Sequence, residues 1–155
     1  MSSTRRDFLR CAACGGAAAA VAALGGCAPG VDPAPLVDVP APVNGRVTLA
    51  IGSYPQLNQT HGAARIQGPG ISPPILLVRR PDGGFAALSS ICTHKSCPLG
   101  TEGFEVVCPC HASRFDLEGN VTHPPAPVSL FAYSSTFDPA TGELTVELLS
   151  TAGVP

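Results

Sequence analysis

A chain of 155 residues has room for one modest hydrophobic core and excludes two independent ones. Gly and Pro number 17 each, Trp is absent and aromatics are 5% of the chain; this is a composition of short strands and turns, and it predicts an all-β domain. The formal net charge is −2, and beyond Cys27 the chain carries six basic against ten acidic side chains. That balance excludes nucleic acid as a partner, since a nucleic-acid binder needs a basic face.

The first element in chain order is Ser3 to Leu9, "STRRDFL", followed by the uncharged Ala- and Gly-rich run "CAACGGAAAAVAALGGC". The run is short of the roughly 20 apolar residues that a membrane span requires, and its paired glycines make a poor helix. The stretch from Ser3 to Leu9 resembles a twin-arginine export signal, with Arg10 where lysine is usual. "LGGC", Leu24 to Cys27, resembles a lipobox and implies lipidation at Cys27, against the alternatives of ordinary cleavage or a retained anchor. Residues 1–27 are therefore expected to be a twin-arginine signal peptide or anchor, with "CAAC" (Cys11 to Cys14) mere filler within it. Twin-arginine export carries folded proteins, often loaded with a cofactor, so the resemblance implies a periplasmic protein, membrane-anchored or lipidated.

Residues 28–44, "APGVDPAPLVDVPAPVN", contain five prolines that block helix and central strand. They are expected to form a semi-rigid, polyproline-like linker. From residue 45 to 155 the runs "RVTLAIG", "PPILLVRR", "FAALSSI", "FEVVC", "VSLFAYSSTF" and "ELTVELL" are the predicted strands. "PDGG" at 81–84 and "DPATGE" at 138–143 have hairpin-turn chemistry. The stretch from Tyr54 to Pro74 lacks periodicity and is expected to loop over the surface.

Between the third and fifth runs lie two short segments, "CTH" at Cys92 to His94 and "CPCH" at Cys108 to His111, each offering a thiol and an imidazole. A Cys2His2 set suits a tetrahedral zinc that stabilises a non-redox β domain. Zinc fingers, however, usually pair cysteine with cysteine and histidine with histidine, whereas here each segment mixes the two. Mixed segments suit a [2Fe-2S] cluster in which two cysteines hold one iron and two histidines the other.

"CTHKSC" and "CPCHASRFD" resemble the two cluster-binding motifs of Rieske iron-sulfur proteins, C-T-H-x-x-C and C-P-C-H-x-S. The resemblance implies an antiparallel β domain over residues 45–155, with a small cluster-binding subdomain of two loops at about 91–127. It implies one [2Fe-2S] cluster, with Cys92 and Cys108 on the buried iron and His94 and His111 on the outer one. It further implies a disulfide between Cys97 and Cys110, which fits an oxidising compartment, and a Ser113 hydroxyl bonded to a bridging sulfide. "HPPAPVSL", His123 to Leu130, resembles the proline loop that covers the cluster, with Pro124 where glycine is common. His123 is expected to face solvent and His61 to sit in a loop, neither as a ligand.

The chain departs from the family pattern at Phe115, where many quinol-oxidising members carry a tyrosine that donates to a ligand sulfur, and this predicts a lower potential. Lys95 and Ser96 stand where Leu-Gly is common, placing a charge on the surface where quinone docks in those members. The function implied is a one-electron carrier on the periplasmic side of a membrane. Two settings follow: an iron-sulfur subunit of a quinol:cytochrome c reductase, working with quinol and a membrane cytochrome b, or a module that feeds a periplasmic oxidoreductase or c-type cytochrome without quinol contact. Against a Rieske oxygenase stand the Cys97 and Cys110 pair, which such enzymes generally lack, and the lack of room for a separate mononuclear-iron domain.

Overall fold

The computed structural model describes residues 30–148. Their regular structure is strand, with two single 3-10 turns at Ile51–Ser53 and Pro55–Leu57. In chain order the strands are β1 Leu36–Asp38, β2 Arg46–Ala50, β3 Ala63–Gly68, β4 Ile71–Arg79, β5 Phe85–Ser89 and β6 Gly100–Glu102. The remainder are β7 Glu105–Val107, β8 Arg114–Phe115, β9 Val121–His123, β10 Ala132–Tyr133, β11 Ser135–Asp138 and β12 Glu143–Glu147. They form three sheets: five strands in the order β1-β3-β4-β5-β10, three in the order β11-β12-β2, and four in the order β6-β7-β8-β9.

The unbroken apolar run of β4 explains the layering. A strand with one wet face alternates apolar and polar residues, whereas Ile75, Leu76, Leu77 and Val78 are all buried, so β4 is covered on both faces. Ile75 and Leu77 point into one core with Val47, Leu49, Leu144 and Val146 of the three-stranded sheet. Leu76 and Val78 point into a second core with Leu99, Val106, Phe115 and Leu130 of the loop-rich side. β5 divides in the same way, Phe85 and Ala87 to the first core and Ala86 and Leu88 to the second. The five-stranded sheet is thus a shared wall between two cores. β2, by contrast, alternates cleanly between exposed and buried residues, as a strand with one wet face should.

The turns fall where Gly and Asp predict them. At the β4–β5 hairpin Asp82 accepts from the Gly84 amide, and Gly83 takes a φ of +89° that a side chain would resist. At the β11–β12 hairpin Asp138 caps the amide of Ala140.

Two sequence expectations need correction. The stretch 54–74 is not a surface loop throughout: it contains β3, which pairs antiparallel with β4 from Ala63↔Val78 to Gly68↔Ile71. Ala64 and Ile66 are fully buried there. The expected linker at 28–44 is also different where it is described, because β1 runs parallel to β3 in the register Leu36↔Arg65 to Asp38↔Gln67. Ala34 joins the second core and Val39 the first, so this segment straps both halves of the domain. The Ala34 amide donates to the Leu99 carbonyl, and Arg65 Nε donates to the Ala34 carbonyl at 2.7 Å. Gly100 is required beneath the strap, where a Cβ would collide with the Asp32 carbonyl oxygen. The prolines did exclude a central strand, but an edge strand of three residues tolerates them on either side. The twin-arginine stretch, Cys11, Cys14 and Cys27 lie outside the described residues. Among the described residues no helix is long and apolar enough to cross a membrane.

Candidate metal centre

The two cysteine- and histidine-bearing segments fold into loops with one shared hydrogen-bond pattern. In the first, the Cys92 amide donates to the Cys97 carbonyl and the Ser96 amide to the Cys92 carbonyl. In the second, the Cys108 amide donates to the Ser113 carbonyl and the Ala112 amide to the Cys108 carbonyl. The residue that closes each turn is left-handed, Ser96 at φ 55° and Ala112 at φ 60°. Both are non-glycine residues in a region that disfavours a Cβ, so each loop holds a costly turn for the sake of its shape. At Ser96 this explains why glycine is common at that position in the resembling motif.

Each loop begins at the end of a buried segment, and this sinks its first cysteine. Cys92 and Cys108 are each 1% exposed and are free thiols belonging to the second core. Burial pushes the Cys108 thiol up from its ordinary pKa, and the neighbouring Cys92 thiol adds to this; the amides of Cys110 and His111, donating toward the sulfur, work in the other direction. Two adjacent buried sulfurs, one of them ringed by donors, suit thiolates that a cation neutralises.

The histidines lie farther out along the loops. The rings of His94 and His111 approach to 4.8 Å between centroids at 82°, with His111 exposed and His94 half-buried. His94 Nδ1 is buried without a hydrogen-bond partner, an orphan that a metal bond would satisfy. Cys97 and Cys110 form a disulfide that ties loop to loop. Among the described residues, Cys97, Cys108 and Cys110 bring three ligand atoms within 4.8 Å of one another, but two of these are closed in the disulfide. Cys92, His94, Cys108 and His111 do not converge as a set on one point, which a tetrahedral zinc with bonds of about 2.0–2.3 Å demands. Paired thiols below and paired imidazoles above fit a binuclear group.

Ser113 is fully buried, and its Oγ accepts from the Ala126 amide at 3.0 Å, leaving its proton free to donate elsewhere. Thr93 Oγ1 donates to the Val128 carbonyl at 2.7 Å, fastening the 123–130 segment over the first loop. Behind the second loop Arg114 reaches Glu105 and Glu102, both at 2.6 Å, across the ladder of β6, β7 and β8. Sequence reading missed the Ala126 amide, the Thr93 tie and the Arg114 clamp. Two glutamates, Glu102 and Glu105, followed by the lone Arg114 offered a faint signal for the clamp; a backbone amide offers none. As expected, His123 faces solvent. His61 lies in a loop, and its ring stacks on Phe104 at 3.8 Å between centroids.

Residues 56–134, just over half of the chain, match the Rieske [2Fe-2S] domain family. The cytochrome b6-f complex iron-sulfur subunit of Parasynechococcus marenigrum (strain WH8102) is 40% identical over 68 residues, 42% of this chain and 38% of that protein. The subunit of the same name from Prochlorococcus marinus (strain MIT 9215) is 37% identical over 76 residues, 47% of this chain and 43% of that one. The chain therefore aligns with less than half the length of these relatives. Among solved structures, a chain in the complex of reduced oxygenase and oxidized ferredoxin of carbazole 1,9a-dioxygenase has a TM-score of 0.53. It is 23% identical and is matched over 61% of this chain and 88% of its own, a likeness of fold. Loop pairing, buried thiols, facing imidazoles and the family match converge: this chain belongs to the Rieske [2Fe-2S] domain family, whose cofactor is a Rieske-type [2Fe-2S] cluster.

Proposed function

We propose that this protein is a one-electron carrier in which Cys92 and Cys108 hold the inner iron and His94 and His111 the outer one. When bound, the cluster supplies a one-electron couple whose potential depends on the hydrogen bonds and burial around it. The observation that carries the reading is the arrangement of the two loops: buried thiols inside, and imidazoles that reach solvent through His111. The thiols exclude water from the inner side; the imidazoles present the side a partner can approach. Ser113, held by the Ala126 amide, donates its hydroxyl proton toward the cluster and stabilises the reduced state.

The resemblance to cytochrome b6-f iron-sulfur subunits supports a place in a membrane electron-transfer complex, with a c-type cytochrome as acceptor. In that setting the first 27 residues supply twin-arginine export and anchorage on the periplasmic side, with residues 45–155 as the cluster-bearing unit. A second setting is a periplasmic carrier without quinol contact. It is favoured by the exposed Lys95 beside His94 and by residues 31–43, which lie against the domain and so are not a free tether for a swinging head. Phe115, fully buried where a tyrosine would add a donor, points the same way.

A redox titration of the cluster-loaded protein, followed by electron paramagnetic resonance at several pH values, tests the reading. The expected result is a Rieske-type signal on reduction. A high, pH-dependent potential selects the quinol setting, and a low, flat one the periplasmic carrier. Zinc without acid-labile sulfide, or an iron-loaded protein with no such signal, overturns the proposal.

A further inference from the structure

The described residues are acidic as a whole, six basic side chains against ten acidic. The charge is unevenly placed. Residues 91–100, 108–113 and 120–131, which make up the two cysteine- and histidine-bearing loops and the proline segment over them, contain no aspartate or glutamate. Their one formally charged side chain is Lys95, exposed and next to His94. It takes part in none of the ion pairs among the described residues. The acidic residues nearest in sequence are engaged elsewhere: Glu102 and Glu105 share Arg114, Glu118 pairs with Arg80, and Asp116 accepts from the amides of Glu118 and Asn120 and from the Asn120 side chain. The loop that carries Lys95 is tied through Thr93 to Val128, which is 60% exposed and follows the exposed Pro125 and Pro127, so an apolar patch is fastened to that loop.

We infer that this tip is a docking face for a redox protein that presents a carboxylate at the rim of an apolar contact, with Lys95 as the steering charge. The inference rests on the electron-carrier reading and names the chemistry of the partner. Physically, an apolar centre with a single unpaired cation on an otherwise acidic molecule orients approach. The acidic body repels an anionic surface everywhere except at the tip, and a partner drawn to the tip arrives where His111 is exposed. A lone rim charge acts mainly on the rate of encounter and its salt dependence.

Stopped-flow reduction of the cluster-loaded full chain tests this, with dithionite as an anionic reductant and the methyl viologen radical as a cationic one. Between about 0.01 M and about 0.15 M salt the screening length falls from ~30 to ~8 Å. For the wild type, the dithionite rate is expected to fall about two- to threefold over that range, although the net charge predicts a rise. Methyl viologen should show the opposite trend. Lys95→Glu should reverse both slopes and Lys95→Gln flatten them, with the resonance signal unchanged in each. With protein probes, Lys95→Glu should slow oxidation by an acidic c-type cytochrome and speed oxidation by a basic one. Normal reduction with identical salt slopes in wild type and both variants overturns the docking inference and leaves the carrier reading standing. A protein that accepts no electron from either reagent overturns the carrier reading, and the docking face with it.

Discussion

The two cores on either side of β4 and β5 are built by different means. On the Val47 and Leu144 side, strands of four and five residues alternate cleanly, and the register of β2, β12 and β11 sets the packing. On the Cys92 and Cys108 side, the strands are two or three residues long, too short to supply many ladder bonds. Cross-links compensate: a disulfide, an arginine clamp, the strap at residues 31–39 and, on the reading above, the cluster. The first half is held by burial along regular strands, the second by bonds between loops. Each kind of perturbation should therefore be felt in a different half.

The largest effect should come from removing a ligand. Cys108→Ser is expected to abolish the cluster's visible absorbance and to lower amide protection across residues 91–127, while β2, β4 and β12 stay protected. Hydrogen exchange that rises equally in both halves would show that the two cores are not held by different means. Next, Leu76→Ala and Leu77→Ala empty opposite faces of one strand, and each should cost about 2–5 kcal/mol. In the cluster-free protein the cost at Leu77 should persist and that at Leu76 shrink, because the packing around Leu76 is already loosened; urea unfolding of both forms measures it. The disulfide closes a sequence separation of 13, for which its loss should cost ~3 kcal/mol. A Cys97→Ser, Cys110→Ser double variant should lose this and reproduce the Cys108→Ser pattern of exchange in weaker form. The smallest effect is expected at Ser96→Gly. Relief of its left-handed turn gains about 1–2 kcal/mol, offset by about 0.4–1 kcal/mol through the freer unfolded chain. The net rise should be seen in the unfolding midpoint without a change in hydrogen exchange at β2, β4 and β12.

The same contrast governs how much was legible in the sequence. The ligand candidates and the disulfide pair stood out because the chemistry is concentrated in two contiguous motifs. β2 and β12 were readable from alternation, and the "PDGG" hairpin from its turn residues. β3 was hidden because Ala63 and Ala64 carry little hydrophobic signal and the segment ends among Gly68, Pro69 and Gly70. β1 was hidden by Pro33, Pro35, Pro40 and Pro42, which correctly forbid a central strand but leave Leu36 to Asp38 free to join an edge. "VSLFAYSSTF" read as one strand but divides at Ser134, because β10 pairs with β5 and β11 with β12 in different sheets. Side chains announce chemistry; the backbone donors that shape it, such as the Ala126 amide, leave no trace in residue identity.

The strap carries a mechanical consequence. β1 lies parallel to β3, with the Arg65 amide bonded to the Pro35 carbonyl and the Val39 amide to the Gln67 carbonyl. A pull on residue 30 along the strand loads these bonds together in shear, instead of opening them one after another as in a zipper. Because the Ala34 amide is also bonded to the Leu99 carbonyl, the same pull is passed to the end of the first cysteine loop. Whatever holds the N-terminal end of this protein therefore has a grip on its redox centre.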